Sequence, residues 1–261
     1  MPSPSRASPN DAPQRDKLHF RTDLAPLPSP PDLAERLAEL AIELEPGDTE
    51  RLGRYLAILL ANNELLNLTA ITDPAEAWIK HIFDALTLLP VLSESEPPAS
   101  IADVGSGGGV PAIPLALVMP DHRFTLIEAT AKKAEFLKAA AEALDARNID
   151  VVADRAEVLG QDRHAMRERF DIVTARALGR LNVALELCAP LCKITGRLVL
   201  VKGQRAAEEL EEARPAMEQL GVAHAGTIDT PTGRLVVLEK ISRTPRTYPR
   251  PSGEPKRKPL S

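Results

Sequence analysis

The run Ile101-Ala-Asp-Val-Gly-Ser-Gly-Gly-Gly-Val110 constrains this chain more than any other stretch. Small and apolar residues lead into Asp103, a glycine-rich turn follows, and Pro111 opens an apolar run to Met119 that reads as a helix. A strand, a glycine turn and a helix N-terminus in that order cradle a nucleotide-sized ligand. Glycine allows the close backbone approach and the φ > 0 that such a turn needs. The spacing is not that of dinucleotide dehydrogenases, because Val110 stands where the third glycine of G-x-G-x-x-G belongs. Nor does the turn end in the Gly-Lys-Ser/Thr of a phosphate-binding P-loop.

An acid two residues before the first glycine, then G-x-G-x-G, resembles the first motif of class I S-adenosylmethionine-dependent methyltransferases. Phe124-Thr-Leu-Ile-Glu128 adds a short alternating strand that ends in an acid, placed to accept hydrogen bonds from ribose hydroxyls. Further strands are predicted at 100–104, 150–153, 170–174, 197–201, 223–229 and 233–240. Helices are predicted between them at 111–119, 131–145, 181–192 and 205–220. Units of this length imply a parallel sheet covered on both faces. The last two strands flank Pro231-Thr-Gly233, too short for a helical crossover, and so must pair as an antiparallel hairpin. The expected fold is α/β: a Rossmann-like, mostly parallel seven-stranded sheet with a C-terminal antiparallel hairpin, as in class I methyltransferases, plus an N-terminal helical segment.

Four segments follow. Residues 1–31, rich in Pro, Ser and Asp, read as a disordered leader. Residues 32–95 form the helical segment, 96–241 the methyltransferase domain, and 242–261 a basic, proline-rich tail. Within the helical segment, Asp32 is the expected cap of a helix carrying Leu33, Leu37, Leu40 and Leu44. A second helix is predicted over 49–65. A third starts at Asp73, with Pro74 at its first position and Glu76 closing a capping box.

The net charge of −5 is unevenly placed: six basic residues stand against Glu254 alone from Ile241 onward, so residues 1–240 carry −10. An acidic body does not coat nucleic acid, and any such contact must be local. Composition fits a disordered tail equally well. Cys188 and Cys192, a helical turn apart in a predicted helix, read as buried thiols, and no metal site is expected. No apolar run is long enough to span a bilayer, and Met1-Pro-Ser-Pro-Ser-Arg lacks the apolar core of a secretory signal. A cytoplasmic, monomeric protein is expected. Aromatic residues make up 3% of the chain, which disfavours stacking platforms and favours a single base presented to a pocket.

Six segments together make the resemblance specific. They are Asn67-Leu-Thr69, Lys80-His-Ile-Phe-Asp84, Asp103 to Pro114, Thr174-Ala-Arg-Ala177, Lys202-Gly203, and the tail from Tyr248-Pro-Arg to Lys258-Pro-Leu260. From about residue 32 to its end the chain resembles the small-subunit ribosomal RNA methyltransferase G family, also called the glucose-inhibited division protein B family. That resemblance implies methylation of N7 of a guanine in 16S ribosomal RNA, with S-adenosyl-L-methionine as donor and the RNA or the small ribosomal subunit as partner. It places Gly105, Val110, Ala156 and Glu157 at the cofactor, beside Asp103, Gly107 and Glu128. Arg176 falls at both the cofactor and the substrate, the candidate catalytic residue. Arg155, Arg176, Lys202, Arg250 and Lys258 are the expected RNA contacts.

Guanine N7 has a free lone pair and loses no proton, so no general base is needed. The slot after the fourth strand lacks the Asn/Asp-Pro-Pro-Tyr/Phe of exocyclic-amine methylation, and neither cysteine has the Pro-Cys setting of a C5 nucleophile. Two rivals remain at this level: a methyltransferase acting on a protein or small molecule, and a non-catalytic nucleotide-binding module whose helical segment docks a partner.

Overall fold

The computed structural model describes residues 18–261. Strands β1 (Ser100–Val104), β2 (Arg123–Ile127), β3 (Ile149–Val152), β4 (Phe170–Arg176), β5 (Cys192–Lys202), β6 (Val222–Thr230) and β7 (Gly233–Lys240) form one sheet. Their order is β3-β2-β1-β4-β5-β7-β6. β1 to β5 run parallel, while β7 is antiparallel to both β5 and β6. This is the class I methyltransferase arrangement that the sequence predicts. Helices α1 (Leu33–Glu39), α2 (Asp48–Ala61), α3 (Asn63–Leu66) and α4 (Pro74–Ala77) precede the sheet, then a π-helical turn (Trp78–Phe83), α5 (Asp84–Leu86) and α6 (Leu89–Leu92). Within and after the sheet come α7 (Ala112–Val118), α8 (Ala131–Ala143), α9 (Ala156–Leu159), α10 (Leu181–Cys188), α11 (Ala206–Glu212), α12 (Arg214–Leu220) and α13 (Glu254–Arg257).

Side chains along a strand point alternately to its two faces, and the two halves of the core follow that alternation. Ile101, Val199, Leu235 and Val237 face the N-terminal helices, α7 and α8. Ala102, Leu198, Leu200, Val236 and Leu238 face α9 to α12. The helical segment therefore shares its core with the sheet: Tyr55, Trp78, Phe83 and Leu86 join the same buried cluster as Ile101 and Phe124. Each such fully buried side chain contributes about 1.5–3 kcal/mol of transfer free energy.

The disordered-leader expectation fails over residues 18–31, whereas residues 1–17 lie outside the described residues. Leu18, Phe20, Leu24 and Leu27 pack on the core, and Phe20 meets Phe136 edge-on with ring centroids 5.8 Å apart. Asn62 holds the Arg21 backbone at both its N–H and its carbonyl, each at 2.9 Å, and Leu27 N donates to Gly53 O. A Cβ on Gly53 would lie 2.4 Å from Leu27 O, so glycine is what lets this segment cross α2. Sparse apolar residues without a period give no local signal, because their partners, such as Gly53 and Phe136, lie far along the chain.

Other boundaries shift for local reasons. The first helix stops at Glu39 because Ala41 turns left-handed (φ 52°), and Asp32 pairs with Arg36 instead of capping. Asp73 does cap, accepting from Glu76 N at 2.8 Å. Pro190 separates the two cysteines, so Cys188 ends α10 and Cys192 opens β5, both buried. The predicted helix over 205–220 divides around Ala213, where Pro215 sits in the first turn of α12.

The tail is ordered. Arg250 pairs with Glu186 of α10 at 2.6 Å, Asn182 Nδ2 donates to Leu260 O, and Tyr248 Oη donates to Gln219. Arg167 clasps it from beneath, donating to the carbonyls of Gly160, Thr244 and Tyr248.

Candidate functional site

The glycine turn leaves β1 at the centre of the parallel strands, where open α/β sheets hold ligands at their carboxyl ends. Gly105, Gly107 and Gly109 all take positive φ (76°, 55° and 98°). Gly105 N and Ser106 N donate to Ile127 O of β2, and Tyr55 Oη of α2 donates to Gly108 O at 2.8 Å. A Cβ on Gly108 would come within 2.7 Å of Leu59, so the helical segment props the turn directly from below.

Asp103 is 1% exposed. One carboxylate oxygen accepts from Thr174 Oγ1 of β4 at 2.9 Å; the other, Oδ2, has no partner among the described residues. Burial pushes its pKa up to about 6. Glu128, at the end of β2, accepts from Gly107 N at 2.9 Å and from Thr130 N at 2.7 Å. Each of its oxygens keeps a second lone pair for a ligand. Ala156 and Glu157 open α9 beyond β3, and Glu157 Oε1 accepts from Gly253 N of the tail. Val110 is buried with the core cluster, so only its backbone is available to a ligand.

Arg176 ends β4, and its guanidinium is held from three sides. Nη1 donates to Asp84 Oδ2 (3.0 Å) and Lys80 O (2.8 Å), and Nη2 to His81 Nδ1 (3.3 Å). A guanidinium only donates, so His81 Nδ1 accepts and its Nε2–H donates to Thr69 Oγ1 at 2.7 Å. Burial, with Arg176 beside it, lowers the His81 pKa to about 4, so the ring is neutral. Asp84 also accepts from Thr232 Oγ1 in the β6–β7 turn. Residues from Asn67-Leu-Thr69, Lys80 to Asp84 and Thr174 to Ala177 thus form one network around a single cation.

Apart from Arg176, the expected RNA contacts separate into two groups. Arg155 and Lys258 are exposed. Lys202 and Arg250 are committed inside the protein, which corrects their reading as phosphate contacts. Lys202 Nζ, on a side chain 10% exposed, pairs with Glu209 at 2.6 Å and donates to Gly179 O. Arg250 neutralises Glu186, a carboxylate with no exposure, and a buried charge requires such a partner. Sequence reasoning missed Thr232 and Tyr55, which reach the site only through tertiary contacts. Among the described residues no group of three or more His, Cys, Asp or Glu could hold a metal ion, and no helix is long and apolar enough to cross a membrane.

A sequence-family profile described as rRNA small subunit methyltransferase G matches residues 48–232. The ribosomal RNA small subunit methyltransferase G of Sorangium cellulosum is 49% identical over 224 residues, covering 86% of this chain and 93% of that protein. The protein of the same description from Staphylococcus carnosus is 39% identical over 234 residues, 87% of this chain and 97% of its own length. Among solved structures, an S-adenosylmethionine-dependent methyltransferase from Aquifex aeolicus aligns with 64% of this chain and 93% of its own, at 13% identity and a TM-score of 0.49. On the profile match and the identity across most of its length, this chain belongs to the rRNA small subunit methyltransferase G family.

Proposed function

We propose that this protein methylates N7 of a guanine in 16S ribosomal RNA, using S-adenosyl-L-methionine bound at the β1 turn. The observation that carries the cofactor reading is Asp103 Oδ2, a buried acceptor without a partner among the described residues. Leaving such an oxygen unpaired costs about 1–3 kcal/mol, which a cationic amino group at the turn would offset. The residues present fit the group: Asp103 for its amino end, Glu128 for its ribose, Ala156 and Glu157 for its adenine edge, and the backbone of Gly105, Gly107 and Val110 along it. When bound, the cofactor supplies an electrophilic methyl group on a sulfonium.

What remains for the protein is geometry, since methyl transfer is an in-line displacement. Arg176 is positioned to fix the guanine or a flanking phosphate, with donors in a rigid fork suited to bidentate contact. His81 is no free base, because both ring nitrogens are engaged within the network. A neutral nitrogen acceptor that loses no proton suits a site built this way. Arg155 and Lys258 serve as peripheral phosphate contacts. The segments 32–95, 96–241 and 242–261 act as prop, catalytic body and strap in a cytoplasmic monomer.

The test offers labelled cofactor with three acceptors: small ribosomal subunits lacking the modification, naked 16S RNA, and the ribosomal proteins. Label in the RNA of the first or second supports the proposal. Label confined to protein, or none despite cofactor binding, refutes it.

A further inference from the structure

We infer that an arginine-lined cavity between the α9–β4 loop and the C-terminal tail is a second contact for the phosphate backbone of the RNA substrate, remote from the methyl-transfer site. The inference rests on the RNA substrate proposed above. The cavity, of about 220 Å³, is lined by Arg163, Arg167, Arg243 and Arg246 with Glu168 and Thr244. Four guanidiniums meet one carboxylate there, and that carboxylate already accepts from Thr244 N.

Their gathering at one cavity distinguishes these arginines, not the lack of a partner by itself. Arg147, Arg205 and Arg214, exposed elsewhere, each carry a carboxylate partner, whereas Arg123, Arg155 and Arg257 are exposed and have none among the described residues. Arg163, Arg243 and Arg246 are exposed, and among the described residues none of them has a carboxylate within 4.0 Å or a side-chain hydrogen bond. Arg167 gives four of its five N–H donors to main-chain carbonyls, and burial, with Arg163 and Arg246 nearby, lowers its proton affinity. Arg167 therefore builds the floor while the other three form the rim. In a chain of net charge −5, gathering unpaired like charges costs repulsion within a Debye length of roughly 8–10 Å. An anion is the partner that removes this cost.

The rim favours a polyanion over a single small ion. Its three free guanidiniums come from two chain segments and point from exposed positions, which suits successive phosphates along a backbone. The site also lies at the opposite end of the parallel strands from the chemistry. The α9–β4 loop feeds the amino end of β4 at Phe170, whereas Arg176 stands at the carboxyl end. At ~3.3 Å per residue the strand separates them by about 20 Å. A short oligonucleotide placed at Arg176 would not reach it; a large folded RNA or ribosomal particle would.

The test uses the full chain with Arg163→Gln, Arg243→Gln and Arg246→Gln combined, and binding to small subunits or 16S RNA at several salt concentrations. Each lost phosphate contact lowers the log–log salt slope by about 0.7–0.9, so losing three should lower it by roughly 2–3. KM for the RNA should rise at least tenfold while kcat and affinity for S-adenosylhomocysteine stay unchanged. Thermal stability should be unchanged or higher, since repulsion has been removed; a merely structural cluster would lower it. The Arg→Lys triple variant should keep the salt slope. An unchanged slope and KM in the Gln variant overturn the inference, even where the wild type methylates RNA normally. Should the wild type methylate no RNA, the function proposal fails, and the salt slope still decides this one.

Discussion

Replacing Asp84 tests whether the N-terminal helical segment, whose Lys80, His81 and Asp84 hold Arg176, also aims that guanidinium. Asp84 is 6% exposed and carries both the ion pair to Arg176 and the hydrogen bond from Thr232. Breaking a buried pair from one side costs about 3–5 kcal/mol. The Arg176 side chain keeps 23% of its exposure, so water can take over part of the solvation, and about 1–3 kcal/mol is the expected loss for Asp84→Ala. At ~2–4 °C per kcal/mol for a chain of this size, Tm should fall by roughly 2–12 °C. The catalytic effect should be larger. Arg176 keeps Lys80 O and His81 but loses its anchor toward the hairpin, and a displacement of about 1 Å at a reacting centre costs on the order of 10²-fold. Single-turnover methyl transfer to unmodified small subunits would report the rate, and calorimetric titration with S-adenosylhomocysteine the cofactor affinity. The rate should fall about a hundredfold, with affinity unchanged within experimental scatter. Asp84→Asn keeps the Thr232 partner and should recover part of the rate. A folded Asp84→Ala protein with full activity, or one losing cofactor affinity in parallel with rate, would refute the reasoning.

Cofactor affinity should depend on pH through Asp103, whose folded carboxyl titrates near 6. A bound ammonium needs the carboxylate, so below pH 6 affinity should weaken about tenfold per unit; Asp103→Asn should abolish that dependence, and the same slope in the variant would exclude Asp103. The raised value also sets a stability trend in the free protein. The folded state binds more protons than the unfolded between about pH 4 and 6, so this group's contribution falls as pH rises through that window. Gly53→Ala should cost about 1–3 kcal/mol by forcing residues 18–31 off α2, read as a lower Tm with retained cofactor binding; an unchanged Tm would mean the segment adjusts freely. Arg250→Ala should destabilise by about 3–5 kcal/mol because it strands Glu186 as a buried charge. Were Arg250 only an RNA contact, its thermal unfolding would match the wild type.

The parts of the fold legible in the sequence are those encoded by local periodicity. Strand, turn and helix from Ile101 to Met119, the alternation that gives the parallel sheet, and the hairpin at Pro231-Thr-Gly233 all declare themselves within a few residues. Ordering of residues 18–31 left no such mark, because it depends on Asn62 and on the missing side chain of Gly53. At the site, Asp103, Glu128 and Arg176 are recognisable from their places at strand ends. How Arg176 is held is not: Asp84, His81 and Thr69 arrive from one segment and Thr232 from another. Lys202 and Arg250 show the converse. A basic residue at a strand end or in a basic tail resembles a phosphate contact until its acidic partner, half-buried Glu209 or fully buried Glu186, comes into view.

The most direct measurement of the central claim is nucleoside mapping after single-turnover transfer from labelled S-adenosylmethionine to small ribosomal subunits lacking the modification, with wild-type protein beside Arg176→Ala. The account predicts label in 7-methylguanosine at one 16S position, and its loss in the variant with cofactor affinity retained. Label in another nucleoside, at many positions, or undiminished by the loss of Arg176 would contradict it.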